Sequence, residues 1–120
     1  LDESYNRGAL HAAMITLESL PETMGGSPER ARQHFARAVE LSSAMDASPY
    51  VVLASSVSVE TQNRAEFEGL LNDALAIDVD KDPSNRLLNV IAQKRARLLL
   101  EHADDLFFDP LPKDRKEDLR

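Results

Sequence analysis

The stretch from Pro83 to Phe108 constrains this chain most, because neither glycine nor proline interrupts the residues after Pro83. Asp82 is a good N-cap, and Pro83 stands at the first helical position, where a missing N–H costs nothing. Leu88, Ala92, Ala96, Leu99, Ala103 and Leu106 recur at spacings of three and four, which predicts one apolar helix face. Leu87, Ile91, Leu98 and Phe107 widen that face, while Asn89, Gln93, Arg97 and Glu101 form an opposite, polar stripe. A single helix of this length is about 38 Å long, enough for every other helix to lie against.

The charges on this segment run against its dipole. Arg86, Lys94, Arg95 and Arg97 come first, and Glu101, Asp104, Asp105 and Asp109 crowd the end. The dipole favours the reverse order by about 0.3–1 kcal/mol per well-placed charge. A solvated face is one reading. The other is that the acidic end meets basic groups on a neighbouring helix or a partner.

The remaining segments read as helices as well. Leu1 to Leu20 predicts a first helix, with Leu1, Tyr5, Ala9, Ala12 or Ala13, Leu17 and Leu20 on one face, ended by Pro21. Gly25 and Gly26 punctuate the loop before Ser27-Pro28, which starts a second helix running to about Ser43. Ser48-Pro49 opens a third segment. Its run from Val51 to Val59 is rich in β-branched residues, so a strand competes there. Helix is expected through about Ser56, then an extended connection. Asn63 with Glu66 is a capping-box-like start for a fourth helix, whose apolar face is Phe67, Leu70, Leu71, Ala74, Leu75 and Ile77. The sum is an all-α domain of about five helices over residues 1–108, followed by a charged tail over 109–120.

Composition agrees with closely packed helices. Aromatics are 5% and tryptophan is absent, so the core must be aliphatic and alanine-rich. A net charge of −7 opposes a phosphate-binding surface, which excludes nucleic acid as the expected partner. Without cysteine there is no disulfide framework, thiolate metal site or cysteine nucleophile. No apolar run approaches the ~20 residues that span a bilayer. The chain opens at Leu1 directly on helical pattern, which reads as a piece excised from a longer protein.

Chemistry finds little foothold. Asp78, Asp80 and Asp82 have the spacing that begins a calcium loop, but Pro83 occupies the position that needs glycine and Asn89 replaces the closing glutamate. An acidic turn between helices is the reading kept. His11, His34 and His102 fall on three different expected helices with no metal-binding spacing between them. Gly25-Gly26-Ser27-Pro28 precedes a helix N-terminus that could take an anion, though turn chemistry accounts for it. Asp104 and Asp105 diverge around a helix and make a poor acid/base couple. No nucleophile elbow, phosphate loop or dinucleotide fingerprint is present. The expectation is a protein that is not an enzyme and holds no cofactor or metal.

A faint repeat runs through the chain. Ala31, Phe35 and Ala38 are matched by Phe67, Leu71 and Ala74, 36 residues later; Tyr50, Leu53 and Ala54 are matched by Leu88, Ile91 and Ala92 at 38. These offsets approach the 34-residue tetratricopeptide period, so stacked antiparallel helix hairpins of a degenerate tetratricopeptide-like kind are expected.

Several strings, in order, resemble a known family. They are Leu1 to Tyr5 with Gly8 to His11, Gly25-Gly26, Pro28 to Arg32 with His34-Phe35, and Ser48 to Val51. Glu66-Phe67 to Asp78, and Asn89 through Arg97 to Asp104–Phe107, complete the set. Together they resemble the T component associated with TRAP transporters, a tetratricopeptide-like periplasmic lipoprotein family. Leu98 departs from it, standing where an aromatic often follows in relatives. The resemblance implies a non-catalytic accessory protein that binds an extracytoplasmic solute-binding protein and assists ligand transfer. Its membrane attachment would come only through a lipid anchor outside this segment. Gln93, Arg97 and Glu101, on the expected polar stripe, are the residues expected to meet the partner. A generic tetratricopeptide scaffold and a carrier of a small hydrophobic ligand stay open, as does self-association.

Overall fold

The computed structural model describes residues 9–18, 20 and 22–108. Six helices occur among them, with no strand: α1 (Ala9–Glu18), α2 (Pro28–Leu41), α3 (Ser48–Leu53), α4 (Arg64–Ala76), α5 (Arg86–Glu101) and α6 (Ala103–Leu106). The fold is all-α, as expected. Leu1 and Tyr5 of the expected first helix, and the tail over 109–120, lie outside the described residues. No helix among those described is long and apolar enough to cross a membrane.

Local signals set most helix starts. The Ser27 hydroxyl accepts the Arg30 N–H at 3.2 Å, and Pro28 opens α2. The Asn63 side chain accepts the Glu66 N–H at 3.1 Å at the head of α4. Ends are also built from the backbone. α2 stops at Leu41, slightly before the expected Ser43. There the Ala44 N–H reaches the Val39 carbonyl at 2.8 Å and the Ser43 N–H that of Glu40 at 3.2 Å. This is a Schellman closure, made here with Ser43 at φ 54° where glycine is usual. The loop between α1 and α2 depends on a true glycine. A Cβ on Gly26 would lie 1.8 Å from the Leu20 carbonyl oxygen, so nothing larger fits.

The chain is organised around α3, not around its last long segment. α3 packs against α1, α2, α4 and α5. A helix apolar on most sides is one enclosed by neighbours. That enclosure explains the β-branched run, whose Val51, Leu53, Ala54 and Val57 are all buried. The expected extended connection after Ser56 is not there. The helix instead continues as a π-helical segment, Ala54–Ser58, and stays helical to residue 60. The wider turn lets consecutive residues point inward: Val57 enters the core and Ser58 turns its hydroxyl to α4. Phe67 and Leu71 of α4 are fully buried beside it.

The segment after Pro83 differs from the single helix expected. Pro83–Asn85 forms a 3₁₀ turn, α5 covers sixteen residues (roughly 24 Å), and the helix breaks at His102 before α6. No glycine or proline marks that break; packing does. The change of direction swings Phe107 edge-on against Phe67, with ring centroids 4.9 Å apart.

Candidate functional site

The face of α5 that points inward is rotated from the one its apolar spacing predicts. Leu88 and Ile91 are 56% and 54% exposed, and Leu87 and Leu98 are exposed as well. Leu99 and Leu106 are half-buried, whereas Ala92, Ala96 and Ala103 are buried as expected. Asn89 and Gln93, expected on the outer stripe, are buried at 0% and 7% exposure.

Hydrogen bonding supplies the reason. The Asn89 carbonyl oxygen accepts the Ala47 N–H at 2.9 Å, and its amide donates to the Met45 carbonyl at 2.9 Å. Gln93, one turn later on the same face, donates to the Ala74 carbonyl at 3.1 Å and to that of Ile77 at 2.8 Å. The first amide closes the start of α3, and the second closes the end of α4. Helix ends carry backbone groups with no partner in the helix, and burying them unpaired is costly. Ala92 and Ala96 are small enough to let α5 approach to that range. The two amides therefore turn inward, and the leucines and isoleucine on the far side turn out.

What faces outward is an apolar stripe with bases on it. Val51 and Val52 of α3 and Leu88, Ile91 and Arg95 of α5 line an open groove of about 140 Å³. Lys94, Arg95, Arg97 and Glu101 are exposed. Of the three residues expected to meet a partner, Arg97 and Glu101 thus stand in solvent and Gln93 does not.

The acidic end of the segment does meet a neighbouring helix. Arg64 of α4 reaches Asp104 at 2.8 Å and Glu68 at 3.3 Å. Other charges are taken up inside the fold. Arg32 grips Glu66 with two hydrogen bonds of 2.8 and 3.1 Å, and the Ser58 hydroxyl donates to the same carboxylate at 2.6 Å. Burial alone would raise the Glu66 carboxyl, but the guanidinium and the hydroxyl outweigh it and hold it below the usual range. This knot joins α2, α3 and α4. Arg30 bonds Glu18 at 2.5 and 3.2 Å, and the Gly25 carbonyl at 2.7 Å. That guanidinium lowers the Glu18 carboxyl as well.

The candidate chemical residues are absorbed by turns and pairs. Asp78 accepts the Asp80 N–H at 3.0 Å, Asp80 pairs with Arg86 at 2.9 Å, and Asp82 accepts the Ser84 hydroxyl at 2.9 Å. Asp82 thus stands before the 3₁₀ turn and not at the head of the long helix. Among the described residues, no group of three or more His, Asp or Glu is placed to hold a metal ion. The structure does bring together His11 and His34, which spacing left apart, with their Nδ1 atoms 2.7 Å from each other. Their ring centroids are 5.0 Å apart, so the nitrogens meet head-on as donor and acceptor. Sequence reasoning missed this contact and the Arg32–Glu66 pair, since each joins residues more than twenty positions apart.

Two similarities place the chain among known proteins. A family model described as "TRAP transporter T-component" matches residues 1–107. An uncharacterized protein of Treponema pallidum (strain Nichols) is 36% identical over 107 residues, which cover 88% of this chain and 33% of that protein. The chain therefore spans about a third of the length of the curated relative it matches.

Proposed function

The chain belongs to the TRAP transporter T-component family, and on that premise we propose that it is a non-catalytic accessory part of a TRAP-type transport system. In this reading the full-length protein works outside the cytoplasmic membrane on a lipid anchor. It binds the system's extracytoplasmic solute-binding protein and assists ligand transfer. The family match over nearly the whole chain carries the reading.

The packing supports it. α3 lies against both α1 and α5, and α2 and α4 fill in between successive members of that row. Such a row of helix pairs is what a tetratricopeptide-like stack would present, and stacks of that kind bind proteins along extended faces. Arg97 and Glu101 are the proposed contacts on α5, exposed and with no ion pair between them among the described residues. Gln93 serves the surface indirectly by holding α5 in place.

The test is capture of the cognate solute-binding protein by the full-length protein. Replacing Arg97 and Glu101 by alanine is expected to weaken capture while leaving stability within roughly 0.5 kcal/mol. If the intact protein captures no such partner, the reading fails.

A further inference from the structure

Five of the seven arginines among the described residues are matched with acids. Arg30, Arg32, Arg37, Arg64 and Arg86 each pair with a carboxylate, namely Glu18, Glu66, Glu40, Asp104 and Asp80. The other two arginines among the described residues are Arg95 and Arg97, both on α5. With Lys94 they make no ion pair among those residues. In a chain of net charge −7, acids are in excess. Arg97 points away from Arg95, two positions earlier on the helix, but Lys94 and Arg95, left out of that pairing, lie on either side of one outer face of α5.

Apolar side chains mark the same place. Leu87, Leu88, Ile91 and Leu98 lie at helical spacings along one outer face of α5, with Arg95 among them and Lys94 at the edge. Where this stripe meets α3, Val51 and Val52 form the other wall of the groove. Its volume of about 140 Å³ is well below the ~300–1,000 Å³ of sites that enclose a whole small ligand. It has room for one or two side chains. From Leu87 to Leu98 the stripe runs about 16 Å, the length of three helical turns.

We propose that this face seats an acidic amphipathic helix of a partner protein. Its apolar side chains enter the groove between α3 and α5, and its carboxylates pair with Arg95 and Lys94. Charge complementarity selects the occupant. A guanidinium standing beside apolar side chains matches a carboxylate in two parallel hydrogen bonds, and buried arginines of this kind anchor protein interfaces. Anchors at i, i+3, i+4 and i+7 then read along Ile91, Leu88 and Val52. The inference rests on the reading above, in which that partner is the solute-binding protein.

The experiment uses the full-length protein and the cognate solute-binding protein. Arg95→Glu is expected to weaken the complex at least tenfold and to reduce its salt dependence. Replacing by lysine the carboxylate of the partner helix that crosslinks to this face should restore binding to Arg95→Glu. Ile91→Cys should react freely with a maleimide in the protein alone and be protected when the partner is added. Slow labelling in the protein alone overturns the proposal. Labelling that slows as protein concentration rises identifies a second copy as the occupant; concentration-independent slowness identifies the protein's own chain. Unchanged binding by Arg95→Glu overturns it too, while leaving the transport reading intact. Absence of any complex with the unmodified protein overturns both.

Discussion

Gln93 of α5 completes a helix to which it does not belong: its amide sits 2.8 Å from the carbonyl oxygen of Ile77, just past the end of α4. The side chain is almost wholly buried. Replacing it with leucine keeps the volume but leaves the Ile77 carbonyl without its donor and the Ala74 carbonyl with only the Ile77 N–H. The expected loss is about 1–3 kcal/mol, read as a lower urea midpoint with an unchanged slope. A neutral result would mean that water takes over the Ile77 carbonyl.

A core leucine and a surface one should separate cleanly. Leu71 is fully buried, and Leu71→Ala is expected to cost about 2–5 kcal/mol. Leu88→Ala, on the exposed stripe, should stay within about 0.5 kcal/mol. Denaturation of the two variants side by side checks which face of α5 is outside.

Gly26 admits no side chain. An alanine Cβ would press to 1.8 Å of the Leu20 carbonyl oxygen and 3.0 Å of that of Glu18, both backbone atoms. Gly26→Ala should therefore be strongly destabilising, by several kcal/mol, or displace the loop between α1 and α2. Gly25→Ala meets open space and is opposed only by its positive φ of 93°, so its cost should be near 1–2 kcal/mol. Thermal melts of the pair distinguish a close approach from a backbone preference.

Acid should loosen the knot of Arg32, Ser58 and Glu66. The Glu66 carboxyl titrates lower in the folded state than in the unfolded chain, since Arg32 and Ser58 outweigh burial. Its contribution is complete above the unfolded value of about 4.3 and is lost as the pH falls through the lower folded value. Arg32→Ala should cost about 1–2 kcal/mol at pH 7, moderated because the Arg32 side chain is 36% exposed. The same variant should also lose less stability between pH 5 and pH 3 than the parent. An equal loss in both would show that other carboxylates govern the acid limb.

Much of this fold is written in short stretches of sequence. Ser27-Pro28 and Asn63 with Glu66 mark helix starts because a cap needs only its own first turn. Phe67, Leu71 and Ala74 announce the inner face of α4 because leucine and phenylalanine there have no competing claim. α5 misleads for a physical reason. Its inner face was chosen by two amides that satisfy backbone ends 42 and 16 residues away, and hydrophobic spacing carries no trace of such bonds. The break at His102 and the helicity of Val51–Val59 were likewise decided by what packs around them. The exposed candidates Arg97 and Glu101 were legible as polar positions, but the groove lined by Leu88, Ile91 and Arg95 needed α3 in place.

The bond from Asn89 to Ala47 makes one backbone amide a sentinel for another part of the molecule. Within α3 the amide of Ala47 has no carbonyl to protect it, because it precedes the first turn; its acceptor is supplied wholly by α5. Fluctuations that lift α5 away while α3 stays wound would let solvent deuterium reach Ala47 and leave Val57 shielded. The exchange rate at that one site thus measures the free energy of undocking α5, separately from the free energy of unfolding the domain.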